Sequence, residues 1–198
     1  VKILAIALLS LSIYSCTDDD DDSVKPGVTI TPNEEELITT VQIHLSDTNL
    51  VILDTVAFND PDGDGGNAPT IDTLRLQKGK DYLVNLMFLD ESDPADIEDI
   101  TLEIEEEDDE HLICFEQTNL TGLSITKTDS DGTYVVGLKS KWELSPSANS
   151  NNGVLRLTLK HQPDVKDGTC TPGDTDVEIN FPVIINSVSY THLTLPTK

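Results

Sequence analysis

Three aspartates lie at alternating positions in the stretch D-P-D-G-D-G-G-N of residues 60–67. Asp60, Asp62 and Asp64 match the opening of a calcium loop, D-x-D-x-D-G, in which alternate carboxylates point inward and glycine permits the sharp turn. The twelfth position holds Ile71, where the helix–loop–helix calcium motif has a bidentate glutamate, so other parts of the chain must complete the ligand set. The alternative is an acidic, glycine-rich turn without an ion. We predict a calcium-type metal site at these aspartates.

Histidines and cysteines form the second candidate site. Imidazoles of His111 and His161, with carboxylates or thiolates, could bind zinc or copper, the alternative ions to calcium. No C-x-x-C or H-E-x-x-H spacing is present, so the fold would have to bring the ligands together. Cys114 and Cys170 are predicted to form a disulfide, the alternatives being a shared metal site or unrelated positions. His44 lies in an alternating segment and is predicted to be a half-exposed strand residue.

Signatures of catalysis are absent from the sequence. There is no G-x-S-x-G, no phosphate-binding P-loop and no dinucleotide fingerprint. With 37 acidic residues, a pair of carboxylates meets somewhere by chance and cannot be singled out. We therefore assign no catalytic residues and predict that the protein is not an enzyme, with a hydrolase as the remaining alternative.

The N-terminal residues have the layout of an export signal. Lys2 precedes an apolar stretch at residues 3–13, and Ser15 and Cys16 follow. A basic flank, a short apolar segment and a small residue before the cut are typical of a signal peptide, here residues 1–15. The alternative is a buried helix of the folded domain. Ser15-Cys16 also resembles the end of a bacterial lipobox, which implies lipidation of Cys16.

An acidic tether follows the cysteine. Residues 18–22 are five consecutive aspartates, which repel one another and cannot pack, so residues 16–26 are predicted to be a solvated tether. Acidic residues directly after a lipidated cysteine resemble the surface-export signal of Bacteroidota lipoproteins. The resemblance implies a lipid-anchored protein of the outer membrane at the cell surface, with a periplasm-facing anchor as the alternative.

The charge balance limits the partners. The 12 lysines and arginines against 37 acidic residues give a formal net charge of −25. Nucleic acids and anionic lipid faces bind through clustered cations, so neither is an expected partner. The expected contacts are the membrane, through the lipid anchor, and an outer-membrane transporter or another surface protein.

The positioning elements are predicted to be strands. Nine short segments alternate apolar and polar residues, or are rich in β-branched residues, between Gly, Pro, Asn and Asp clusters. They are residues 36–45, 50–58, 70–77, 81–89, 112–117, 123–127, 133–144, 154–161 and 176–185. This spacing predicts an all-β fold, an antiparallel β-sandwich of the Ig-like or jelly-roll-like type. The domain is predicted at 27–186. Residues 187–198 are predicted to be a non-native tail because they resemble translated sequencing-adapter sequence, and a native β-strand tail is the alternative.

One short acidic helix interrupts this pattern. Asp93 as N-cap and Pro94 at the first helical position predict its start, and we expect it to extend to about Glu110. Seven of the eight residues at 103–110 are acidic. Negative charge at a helix C-terminus opposes the helix dipole, which is unfavourable unless a cation is close. The acidic end of this helix is therefore a first indication of a metal.

Residues 1–186 resemble small lipoproteins of marine Bacteroidota. The resemblance rests on Cys16 and on the segments D-P-D-G-D-G-G-N-A-P at 60–69, F-L-D-E at 88–91 and T-L-K-H-Q-P at 158–163. It implies location and no particular chemistry. We predict a lipid-anchored, non-catalytic module that binds a cation or small ligand or assists a transporter. The alternative is a structural or adhesive surface protein in which calcium stiffens a loop.

Overall fold

The structure is a computed structural model that describes residues 37–63 and 65–187 and contains nine strands and one helix within them. The strands are β1 (Thr40–Ser46), β2 (Ile52–Asn59), β3 (Thr70–Ile71), β4 (Leu74–Gln77), β5 (Asp81–Asp90), β6 (Glu98–Asp99), β7 (His111–Lys127), β8 (Lys139–His161) and β9 (Asp174–Asn186), and the helix is α1 (Ile100–Glu106). The prediction of an all-β fold with one short helix is confirmed.

All nine strands belong to one curled, mixed sheet. The hydrogen-bonded path has the order β3-β2-β1-β5-β8-β9-β4, with β6 beside β5 and β7 beside β8. The pairing of β4 with β9 is parallel, and the other described pairs are antiparallel. The path turns along β8, because this strand pairs with β5 near its start and with β9 near its end. The two-sheet antiparallel sandwich, Ig-like or jelly-roll-like, stays a prediction.

Alternation of buried and less buried side chains is clearest along β5. Tyr82, Val84, Leu86 and Phe88 of β5 are all buried, so one face of the strand packs in the core. Trp142 of β8 lies fully buried at the same core. Its indole N–H donates a 2.8 Å hydrogen bond to a neighbouring serine hydroxyl, which satisfies the one polar group of this large side chain.

The helix is shorter than the sequence predicts. It starts at Ile100, with Asp99 as N-cap accepting a hydrogen bond from Thr101 N, and it ends at Glu106. The predicted start at Asp93 and Pro94 is wrong. The Asp93 carboxylate instead accepts a hydrogen bond within a turn, and β6 pairs with β5 immediately before the helix. A non-helical turn therefore occupies the residues that the capping signal assigned to the first helical turn, and strand pairing takes the two residues before Ile100.

Several predictions concern residues beyond the described part of the chain. The signal peptide at 1–15, the lipidated Cys16, the tether at 16–26 and the tail from residue 188 onward all lie there, as does Asp64. The described residues fall within one compact unit, Asn33–Lys198. Among them, no helix has both the length and the apolar character needed to cross a membrane.

Candidate metal centre

The antiparallel register of β7 and β8 brings two distant histidines together. His111, the first residue of β7, lies directly opposite His161, the last residue of β8. Side chains alternate along a strand, so His161 shares its face with Leu159 and Leu157, which are fully buried in the core. The two imidazoles therefore lie at the end of the core face, where both strands meet the end of α1.

The two imidazole rings stack on each other beside a carboxylate. Their centroids are 4.8 Å apart and their planes differ by 6°. The ligand atoms of Glu107, His111 and His161 all lie within 4.8 Å of one another. Two imidazoles and a carboxylate are a donor set suited to zinc or copper.

The end of α1 positions Glu107 and fixes the orientation of His111. Glu107 is the C-cap residue of the helix, and its backbone carbonyl accepts hydrogen bonds from His111 N at 3.2 Å and from His111 Nδ1 at 3.0 Å. A carbonyl only accepts, so Nδ1 carries the proton and Nε2 keeps its lone pair. Metal-binding histidines commonly donate their second ring nitrogen to a carbonyl in this way.

Burial sets the charge states in the site. His111 is 2% exposed, and its burial lowers the pKa of the imidazole to about 4, so the ring is neutral at pH 7. Burial, and then the carboxylates of Glu103 and Glu110, raise the pKa of Glu107. A neutral imidazole is the form that binds a metal, and a nearby cation would relieve the cost of ionising Glu107.

The stacked arrangement must open for both rings to hold one ion. An ion bound to an imidazole lies in the plane of the ring, and two stacked, nearly parallel rings do not share a plane. The His111 ring is held by the Glu107 carbonyl, whereas the His161 side chain is 11% exposed and contacts only a partly exposed carboxylate in the described hydrogen-bond network. Rotation of the His161 ring is therefore the smaller change.

A buried ion pair fixes the surroundings of the site. Lys166 lies in the β8–β9 loop (residues 162–173), and its ammonium contacts the Asp131 carboxylate at 2.7 Å with side chains only 4% and 5% exposed. The same ammonium donates to the backbone carbonyl of Asp108, in the turn between α1 and β7. The loop, the turn and the strand ends that carry the site are thereby joined.

The cysteines do not contribute to this site. Cys114 and Cys170 form a disulfide, with their Cα atoms 6.1 Å apart, which is the pairing favoured by the sequence. Cys114 lies three residues after His111 on β7, so its side chain points to the opposite face of the strand. The disulfide attaches the β8–β9 loop to that face instead of supplying a thiolate to the histidines.

The predicted calcium loop and His44 lie elsewhere. The Asp62 carboxylate accepts hydrogen bonds from the backbone and side-chain amides of Asn67, both at 2.9 Å, and the backbone bond is the main cause of the lowered pKa of Asp62. Asp60 borders the same turn, whose Gly63 N–H donates to the Asp60 carbonyl. The calcium site at Asp60 and Asp62 stays a prediction. His44 is half-buried on β1, 2.9 Å from a glutamine side chain.

The sequence alone did not identify Glu107 and Glu110 as site residues. They lie within a run in which nearly every residue is acidic, so composition gives no reason to choose them. The usable signal is position: Glu107 precedes His111 by one helical turn, and Glu110 is its direct neighbour.

Comparison with known proteins gives no match to a protein-family model, to a curated protein or to a solved structure.

Proposed function

We propose that this chain is an exported, lipid-anchored outer-membrane module that captures a divalent transition-metal ion, zinc or copper, without catalysing a reaction. Glu107, His111 and His161 are the proposed ligands. The observation that carries the proposal is the cross-strand pairing of the two histidines beside this carboxylate, with ligand atoms within 4.8 Å.

The donor atoms favour zinc or copper over calcium at this site. Calcium takes six to eight oxygen ligands, whereas imidazole nitrogen suits zinc and copper. The sequence pattern favours calcium because three aspartates lie close together in the chain. The histidine site gains support because the fold joins ligands that are 50 residues apart.

The exposure of the ligands supports binding rather than hydrolysis. A zinc hydrolase also uses histidine and carboxylate ligands, but it needs an open coordination position for water and substrate. His111 is 2% exposed and the His161 side chain is 11% exposed, so the two imidazoles have little contact with solvent. This arrangement supports capture of an ion, with a hydrolase as the alternative.

The proposed location rests on the sequence of residues 1–26 and is supported by one structural feature. A disulfide persists in oxidising compartments and is rare in the cytosol. The bond between Cys114 and Cys170 therefore supports export. Lipidation at Cys16, cell-surface display and a neighbouring transporter remain part of the proposal.

Competition with a chromophoric chelator tests the metal site. Metal-stripped protein is titrated with Zn²⁺ and with Cu²⁺, and we expect one ion per chain for at least one of them. His161→Asn removes a proposed ligand and is expected to weaken binding by at least about 100-fold. The matched control is His44→Asn, which removes a histidine on β1 and should leave the affinity unchanged. Failure of the unaltered protein to take up either ion would contradict the proposal.

A structural or adhesive surface protein is the second candidate function. Leu50 and Val51, in the turn between β1 and β2, and Ile52, the first residue of β2, are 71%, 57% and 60% exposed. The Asp47 carboxylate holds this turn by accepting two backbone hydrogen bonds. A fixed, exposed apolar segment is typical of a surface that contacts another protein.

A further inference from the structure

Glu110 stands at the exposed rim of the proposed metal centre. It directly precedes His111, and its backbone carbonyl accepts a 2.6 Å hydrogen bond from Gln162 N, so its backbone is fixed between the ends of β7 and β8. Its carboxylate Oε2 lies 3.3 Å from His161 Nε2. The Glu110 side chain is 36% exposed, whereas the His161 side chain is 11% exposed, so this carboxylate lies between solvent and the histidines.

The distance between these two atoms matches that between two ligands of one ion. Zinc–nitrogen and zinc–oxygen bonds are about 2.0–2.1 Å, and ligands at the corners of a tetrahedron are separated by about 1.6 times the bond length, or roughly 3.3 Å. Glu110 Oε2 and His161 Nε2 have this separation while the rings are stacked, and the partly exposed Glu110 side chain can follow Nε2 when the His161 ring rotates. With an ion on Nε2, the neutral imidazole keeps its one proton on Nδ1.

The charge of the site calls for a second carboxylate. A divalent ion held by Glu107 and two neutral imidazoles leaves one uncompensated positive charge. The Lys166 ammonium, 4% exposed, lies near enough to His111 to disfavour positive charge there. Uncompensated charge is costly at such a buried position. Coordination by Glu110 makes the complex of ion and four ligands neutral.

We infer that Glu110 is the fourth ligand, so that the loaded site holds its ion with two imidazoles and two carboxylates. This inference rests on the proposed function and deepens it. Four protein ligands close the coordination of zinc and leave no position for an activated water. The loaded centre is then a binding site, and Glu110 is the ligand through which the ion exchanges with solvent.

Cobalt(II) tests the inference because its visible absorption depends on both the number and the type of its ligands. The unaltered full chain is expected to bind Co²⁺ with the intense absorption of a four-coordinate ion. Glu110→Gln keeps the shape of the side chain and removes its charge. We expect it to weaken Zn²⁺ and Co²⁺ binding by at least about 100-fold and to shift the absorption bands, as water takes the place of the carboxylate. Glu106→Gln is the matched control, since it removes one exposed charge from the same acidic run and should change neither property.

The outcomes separate the inference from the function on which it rests. If Glu110→Gln binds both ions as tightly as Glu106→Gln and with the same spectrum, Glu110 is not a ligand, while the other three ligands stand. A weaker affinity with an unchanged spectrum also overturns the inference, because Glu110 then only orients His161. If the unaltered protein binds neither ion, the proposed function itself is wrong.

Discussion

The ammonium of Lys166 is the residue-scale feature that most tightly fixes the region of the proposed site. It is buried against the Asp131 carboxylate and also binds the Asp108 carbonyl. The backbone N–H groups of Thr133 and Tyr134 donate to the same carboxylate at 2.6 and 2.7 Å. Such a pair is stabilising only while both charges and these hydrogen bonds are present, because either charge alone would be buried without compensation.

Replacing Asp131 should therefore destabilise the protein in a pH-dependent way. Lys166 first, and then the two backbone donors, lower the pKa of Asp131 from 3.8 to about 2. The carboxylate therefore contributes about 2 kcal/mol, present above about pH 3.8 and lost as the pH falls through about 2. We expect Asp131→Asn to lower the free energy of unfolding in urea by at least this amount at pH 6 and by much less at pH 2.

Asp109→Asn is the control for this measurement. Asp109 is exposed and lies in the neighbouring turn, so its replacement removes the same charge without opening a buried ion pair. An equal effect of Asp131→Asn at pH 6 and pH 2 would show that the ion pair is not the source of the stability.

At the scale of elements, the long hairpin of β7 and β8 places the two histidines of the site opposite each other. Its register runs from His111 opposite His161 to Lys127 opposite Ser140, with irregularities after Thr118 and after Thr121. At each of them β8 has more unpaired residues than β7, as in an enlarged β-bulge, so the two long strands can bend while they stay hydrogen-bonded. The ends of the hairpin, and with them the two histidines, depend on the bulges for their register.

Gly122 lies at the second irregularity, where a side chain would meet the backbone of the paired strand. Its φ is +77°, and a Cβ atom there would lie 2.8 Å from the Ala148 backbone of β8. Gly122→Ala must strain the bulge or separate the strands, and we expect a loss of about 2 kcal/mol or more in urea unfolding. Gly65→Ala is the matched control, because nothing lies within 4 Å of its added methyl group. Equal stability of the two variants would contradict this account.

The sequence predicts the positions of strand segments better than it predicts which segments are continuous with each other. Alternation located the two halves of β7 and the two halves of β8, but polar residues such as Asn119 and Asn152 suggested turns between them. Both residues have positive φ, of 54° and 50°, and lie inside continuous strands. Asparagine tolerates this conformation in a bulge as well as in a turn, so the residue type cannot distinguish a bent strand from two strands.

The site was predictable in its residues but not in its assembly. The residue types of His111 and His161 predict that they can bind a metal. Their contact, however, depends on the register between β7 and β8, which pairs residues 50 positions apart. No local pattern specifies such a register. Glu107 and Glu110 became distinguishable only after the helix end was known, because their neighbours in sequence are equally acidic.

At the scale of the whole molecule, the high net negative charge is the feature that most affects stability. A net charge of −25 on 198 residues makes the folded state repel itself, and dissolved salt screens this repulsion. The described ion pairs outside the Lys166 site are largely exposed and contribute little to stability. Repulsion should therefore outweigh attraction among the surface charges.

Salt should accordingly raise the melting temperature. We expect a rise between 10 mM and 0.5 M sodium chloride, of about 3 °C for each 1 kcal/mol of repulsion relieved. A melting temperature that falls with sodium chloride would contradict the expectation that repulsion dominates among the surface charges.

At equal ionic strength, calcium chloride should raise the melting temperature further than magnesium chloride if Asp60 and Asp62 bind calcium, and Asp62→Asn should abolish that difference. Identical curves in calcium and magnesium would remove the calcium site and, with it, the calcium-stiffened adhesive protein.

The parallel pairing of β4 with β9 sets the order of events during folding. Leu74 pairs with Val183 and Gln77 with Asn186. The edge strand β4 can therefore join the sheet only after β9 has formed. Contacts between such distant segments form slowly. A nascent chain cannot complete this sheet before β9 has been made, which would keep it unfolded long enough for the export proposed above.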